Sequence, residues 1–571
     1  MRSTYFRYTF FLLMSSSFAA LSQTKPEEKK PEPKEAITEE IEVIRPYMPV
    51  LADASKIRRS PDLNSNKPFK PSLNYTILDK RLELNSDLRQ LQSQELIQPP
   101  VPVLKNNYAK LGAGNLGTVL GEVYINTGAD EALQAGGYLK HINQSGELDK
   151  QQYSRQELGI FGKSIQDRIT LNGELGYDRF STYFYGYNPV LTPTVPGKPE
   201  SQRFGTLSLK GELLKNFEES SQSDYAAKID AYLLRNNADA KENSYTLSGF
   251  FNKVWKDFNV GANSSIDFTA TKDASYDISN NLIRINPYLK LQGKNYKLSL
   301  GVNLVKEFGT ESRTSLFPTV IGELPIVPGY ATVFGGYTGD VLKSTLRNFS
   351  IENPYLAQKI AMENALEKSN IYGGIKGNAG AGFGFKAMVY FKTIEGMPLF
   401  ANKELSSADI SNNKTFERFE VIYDQGNSKT FGFEGELSVK ASETLFLTGR
   451  FLMNEYNMAT EQEAWYKPNF RLFSNARLSL QKKFILDAEL VLNGDSNGLT
   501  YVPSTNPALT AERRVVSVSS YVDLSIGAEY QIKQKFGVFL RANNLFGNEY
   551  QRYLYYPNLG LNILGGLNYS F

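Results

Sequence analysis

The chain of 571 residues has no cysteine, a single histidine (His141) and only two tryptophans. The lack of cysteine excludes a disulfide framework, thiol chemistry and a lipid-anchored thiol. It also suits an oxidising envelope compartment, where unpaired thiols are a liability. With one histidine, two-histidine metal sites are excluded, and a Ser/His hydrolase would have to be built on His141, which lies in GGYLKHINQSG near the outer end of an expected strand. From Thr24 onward no uncharged apolar run approaches the roughly 20 residues of a spanning helix. Charge of one sign is missing too: 63 Lys and Arg face 60 Asp and Glu, a net charge of +3. Nucleic acid needs a concentrated basic face, so no nucleic-acid partner is expected. No catalytic, cofactor-binding or metal-ligating residue is assigned.

What is abundant is Gly (45), Phe (35) and Tyr (34), in a chain whose mean hydropathy of -0.36 is too polar for a bundle of membrane helices. The N-terminus has the parts of a secretory signal: Arg2 and Arg7, the apolar stretch Tyr8 to Met14, and a small-residue site at Ala20-Leu21-Ser22. Residues 1–23 are therefore expected to be a signal peptide. Residues 24–105 hold 11 of the 25 prolines and open with KPEEKKPEPKEAITEE. Such a tract cannot bury a core, so it is expected to be a disordered or extended periplasmic segment, with a short helix at 77–94.

From Asn106 the texture changes to runs with period-2 alternation. In YVDLSIGAEYQI, Val522, Leu524, Ile526 and Tyr530 alternate with Asp523, Ser525, Gly527 and Glu529. In FGFEGELSVK, Phe431, Phe433, Leu437 and Val439 alternate with Glu434, Glu436, Ser438 and Lys440. Each run has one apolar and one polar face, the mark of a half-buried strand. A soluble sandwich alternates as well, but here short connections such as QGKN (292–295) and QKK (481–483) alternate with long ones such as 187–201 and 493–514. Short turns on one side and long loops on the other are the rhythm of a transmembrane barrel. Residues 106–571 are thus expected to form an all-β, antiparallel transmembrane barrel of about 22 strands, including strands at 428–440, 516–532 and 556–571. Parity places FERFEVIYD (416–424) in an outer loop. Candidates for the wet lumen face are Glu434, Glu436, Asp523, Glu529, Asp487, Glu489, Arg471 and Arg477, whose mixed sign points to no substrate charge.

GAGNLG (112–117) has G-x-G-x-x-G spacing, but TVLGEVYINTG after it continues as strand where a dinucleotide site needs a helix. A tight turn between strands is the expectation. The closing GLNILGGLNYSF turns Phe571, Tyr569, Leu567 and Ile563 to one side and Asn562, Asn568 and Ser570 to the other. The first group is expected to meet lipid.

NNLFGNEYQRYLYYPNLGLNILGGLNYSF (543–571) resembles the C-terminus of TonB-dependent receptors, especially those of Bacteroidetes-type bacteria. SNIYGGIKGNAGAGFGFKAMVYF and KTFGFEGELSVKASETLFLTGRF resemble the segments before it, and the resemblance covers roughly residues 106–571. It implies a barrel in the outer membrane of a Gram-negative bacterium that takes up or binds a solute. It further implies that Phe571 and Tyr569 form a terminal signal read by the barrel-assembly machinery. These receptors carry a plug ahead of the barrel, and 24–105 is too short and too Pro-rich for a complete one, so a reduced or absent plug is expected. EEIEVI (39–44) resembles the box such receptors present to a TonB-type energy-coupling protein. The alternative is a non-transporting barrel that scaffolds a surface or envelope complex through 24–105.

Overall fold

Alternating strands in lipid must pair every backbone N–H and C=O, and only a closed sheet leaves no edge. The computed structural model describes residues 107–571, apart from 128–131, 191–196, 217–222, 256–257, 294, 379–381, 406–414, 482 and 504–510. The expected signal peptide, the 24–105 segment with its EEIEVI box, and the helix at 77–94 lie outside the described residues. The described chain forms a single 22-stranded antiparallel sheet in which each strand pairs with its neighbours and the first, Tyr108–Gly114, pairs with the last, Asn562–Ser570. The barrel is closed, with the strand number that the alternation implies.

Connections sort by side. One rim carries only short turns, at 127–132, 166–168, 216–222, 256–257, 293–296, 328–330, 379–382, 441–444, 481–483 and 534–535. The other carries the long loops 184–200, 343–364, 403–418, 458–469, 494–520 and 544–561 together with five tight turns. Both ends of the barrel fall on the short-turn rim, as an even strand count requires.

The two faces of the sheet differ chemically. Leu139, Leu158, Leu247 and Leu540 each stand more than half exposed on the outer face. Beside them Lys140 bonds Glu157 at 2.9 Å on the inner face. Outward aromatics gather in two belts: Trp255, Tyr296, Tyr330 and Tyr569 near the short turns, Tyr245 and Phe268 nearer the loops. Tyr245 and Trp255 lie on one strand, Lys241–Trp255. At about 3.3 Å per residue and a tilt of about 45°, they are roughly 25 Å apart across the barrel wall, the height of an apolar membrane band.

The seam between first and last strands is built from glycine. A Cβ on Gly566 would sit 2.0 Å from the Leu111 carbonyl oxygen, and one on Gly112 would sit 2.7 Å from the Phe539 ring. Inside the seam, the Asn562 amide donates to Thr118 Oγ1 (2.6 Å) and Asn115 Oδ1 (3.1 Å) and accepts from Gln144 and Asn543, both at 3.1 Å. GAGNLG is the first hairpin turn, with Leu116 and Gly117 both at positive φ and Ala113 paired to Val119.

Three expectations are corrected. FERFEVIYD is not a loop but mostly strand: Phe419–Lys440 is one element of 22 residues, paired along its length with Phe383–Asn402. A register shift at Gly396 and Gly426, both at positive φ, joins its membrane half to an outer half. The outer half is fixed by Asp424, whose carboxylate accepts from the amides of Ala459 (2.7 Å), Thr460 (2.7 Å) and Glu461 (2.8 Å). The strands expected at 516–532 and 556–571 begin later, at Tyr521 and Asn562, and the residues before them form hairpins of their own, Ser496–Pro503 with Ala511–Val518 and Gln551–Tyr553 with Tyr556–Pro557. Loop 343–364 contains a short helix, Leu346–Glu352, that strand periodicity could not disclose.

Candidate functional site

The largest buried cluster lies where the long loops meet the loop-side ends of the barrel strands. Tyr185 of loop 184–200 meets Tyr355 of loop 343–364 edge-on at 5.9 Å and Tyr556 of loop 544–561 at 5.0 Å, and Tyr355 stacks on Tyr556 at 3.7 Å. Phe419 packs on Tyr466, Tyr553 and Tyr556, and Trp465 is 1% exposed beside them. Loops 184–200 and 343–364 leave the rim eight strands apart, so rings that touch must reach across the mouth. Backbone contacts tie the same loops together: Tyr187 bridges Phe416, Leu356 bridges Phe419, and the Glu417 amide donates to the Gly186 carbonyl at 2.8 Å. Ion pairs Arg418–Glu200 (2.7 Å) and Lys467–Glu352 (3.1 Å) complete the cap.

Two carboxylates set its geometry. Glu242, 0% exposed, accepts from Tyr232 Oη (2.9 Å), Thr271 Oγ1 (2.8 Å) and the amides of Leu346 (2.7 Å) and Arg347 (3.0 Å). It thereby satisfies the first N–H groups of the Leu346–Glu352 helix, which have no partner inside the helix. Arg347 in turn lies over the Tyr232 ring at 4.5 Å. Glu417, 2% exposed, accepts from Asn402 Nδ2 at 2.8 Å. Burial pushes its carboxyl up to about 7, and the Asn402 hydrogen bond opposes the shift.

The eight polar-face candidates lie on four of five consecutive strands, and the register links them to one face of the sheet. Lys386 and Arg450 hold Glu434 at 3.2 and 3.3 Å, and Arg450 reaches Glu436 at 3.5 Å. Arg477 faces Asp487 at 3.6 Å, and Arg541 faces Glu489 at 3.5 Å. Asp523 accepts from Tyr550 Oη at 2.8 Å, and Glu529 acts on Lys110 through charge. Arg471 stands apart from this pairing, near the loop rim, where it lines a recess with Arg552, Tyr466 and Tyr521. Sequence reading missed Lys386 and Arg450, although both lie in register with Glu436, and Arg541, which lies opposite Gly527 and reaches Glu489 across the intervening strand. It missed Glu242, Glu417 and Arg552 for want of any signal, since their roles depend on loops folding inward.

Neither hydrolase ingredient is assembled. GDSNG (494–498) has the spacing of a nucleophile elbow, but it opens a hairpin and not a strand-to-helix turn. His141 lies on the same side of its strand as Leu139, and its Nδ1 meets Gln156 at 3.2 Å. Among the described residues no group of three His, Asp or Glu side chains is placed to hold a metal.

No protein-family model matches the chain, and no curated protein does. Solved structures do. The ferripyoverdine receptor of the Pseudomonas aeruginosa outer membrane, bound to ferripyoverdine, aligns with 83% of this chain and 72% of its own at 14% identity and a TM-score of 0.60. The ferric-catecholate import receptor Fiu of E. coli K12 aligns with 82% of each chain at 10% identity and 0.60. The FrpB iron transporter of Neisseria meningitidis aligns with 82% of this chain and 81% of its own at 10% identity and 0.60. The closed 22-stranded barrel thus has the fold of the TonB-dependent outer-membrane receptors that the sequence resembles.

Proposed function

We propose that the chain is an outer-membrane receptor barrel that binds or imports a solute, with a plug that is reduced or absent. The observation that carries this reading is the cap: five long loops from around one rim converge on a shared aromatic-rich core and the sixth, 403–418, is tied to them by backbone contacts, which builds a fixed surface at the mouth of the barrel. The similar structures named above are receptors and transporters for iron complexes, which supports the class of activity. In this reading the loop rim faces outward and the short-turn rim faces the periplasm. The paired charges from Glu434 to Arg541 then line the lumen, and the leucine face meets outer-membrane lipid. Residues 24–105 are the route to a TonB-type energy-coupling protein, and Phe571 with Tyr569 form the signal for the assembly machinery.

A second reading, a scaffold for a surface complex, is favoured by one observation. Val190, Ile351 and Phe546 each expose more than half of an apolar side chain on the loops. Single-channel conductance and liposome flux of the full chain and of a chain lacking 24–105 separate the two. Solute flux that changes on the deletion supports the receptor. A silent barrel that co-purifies with envelope proteins, and loses them on substitution of Ile351 and Phe546 by Ser, supports the scaffold.

A further inference from the structure

Along the polar face many cations pair with carboxylates, as Lys386, Arg450 and Arg477 do. Arg471, at the loop end of strand Phe470–Leu480, and Arg552, in loop 544–561, line the same recess. The charge of Arg552 acts on Arg471, and like charges so placed repel. Among the described residues neither guanidinium has a carboxylate within ion-pair distance. The carboxylate that acts on both, Glu352, is already engaged by Lys467 at 3.1 Å. Tyr550 stacks flat on Tyr521 at 3.8 Å, so the aromatic side of the recess is held rigid. The remaining wall is formed by Tyr466, Pro468, Phe473, Val491, Asn493 and Ser496.

Two guanidinium groups brought together without a counter-charge form a site lacking its anion. The planar fork of Arg matches the two oxygens of a carboxylate or phosphate, and a charge-assisted pair of this kind is about twice as strong as a neutral hydrogen bond. We infer that the recess formed by Arg471 and Arg552 beneath the loop cap binds an oxyanion, the carboxylate or phosphate group of a solute held at the mouth of the barrel. This deepens the receptor reading and rests on it for the origin of the ligand. The binding itself is testable without flux.

Isothermal titration of the full chain in detergent with inorganic phosphate and with citrate tests the site. The expected result is saturable binding of at least one, weakened by added NaCl and weakened at least tenfold in both Arg471→Gln and Arg552→Gln. The tighter of the two probes identifies whether the group is phosphate or carboxylate. Because removing Arg471 relieves a repulsion, Arg471→Gln is expected to unfold at a temperature no lower than the unsubstituted chain. A purely structural role would lower it. Absence of binding by both probes overturns the inference, as does binding that either Gln variant leaves unchanged. Should Arg471→Gln fail to fold, Arg552→Gln, on a loop, carries the same comparison. Phosphate or citrate binding in a barrel that passes no solute would remove the transport reading and leave the site standing.

Discussion

Glu417 is a carboxyl group placed where a charge is unwelcome. Its pKa is raised from 4.5 to about 7 by burial, so the folded cap holds a proton that the opened cap releases between those values. The stability it confers is full below about pH 4.5 and is lost as pH rises through about 7. Replacing it by Gln, which stays neutral, should leave the cap unchanged at pH 4.5 and tighten it by about 3 kcal/mol at pH 8. Hydrogen exchange of the amides around Phe416 and Phe419 at the two pH values reads the difference, and equal protection at pH 8 would discount the effect. Glu242 is the opposite case, a buried acceptor for four donors. Glu242→Ala leaves two helix amides without a partner, at a cost of about 2–4 kcal/mol. Proteolytic cleavage within 343–364 should accelerate by tenfold or more while the barrel remains intact. Neither residue stood out in the sequence, because a lone Glu beside alternating strands looks like any polar-face carboxylate until a distant loop folds onto it.

At the scale of elements, the strands were legible because lipid on one side and polar surroundings on the other impose a strict period of two. The alternation in YVDLSIGAEYQI and FGFEGELSVK reports that directly. It could not report where a strand continues beyond the membrane, since the outer half of Phe419–Lys440 packs against loops on one side and its apolar residues follow a different rule. FERFEVIYD looks strand-like, and parity alone places it in a loop; the structure keeps the parity because the segment lengthens an existing strand and adds none. The loop helix was invisible for the same reason: seven residues give too few turns for a periodicity. Seam glycines carry a sharper consequence. Gly566→Val drives a side chain into the Leu111 carbonyl, whereas Gly173→Val, where an added Cβ meets nothing within 4 Å, is the matched control. The first should sharply reduce the heat-resistant folded band in SDS gels and the second should leave it intact.

For the whole molecule, the terminal aromatic pair offers a test of assembly. Phe571 stacks on Tyr569 at 5.7 Å, and its amide donates to the Asn107 carbonyl at 3.0 Å. These two contacts at the chain end contribute little to the stability of the whole barrel. Deleting Phe571 should lower the yield of membrane-inserted barrel severalfold in cells while material that does insert melts within a few degrees of the full chain. Insertion at the normal yield would count against a terminal assembly signal.

The cap has a further consequence in the order of events during folding. The Tyr185 hydroxyl donates to the Pro557 carbonyl, a partner 372 residues later in the chain, and Asn115 holds Ile563 across the seam over 448 residues. Contacts at such separation form late, because the chain between them must be in place first. Tyr185, Tyr355 and Tyr556 can therefore come together only when the last hairpin has arrived and the sheet has met its own beginning. A probe that recognises the assembled loop surface would not see a barrel stalled at an open sheet. The loop surface is in this sense a record that the wall beneath it has closed.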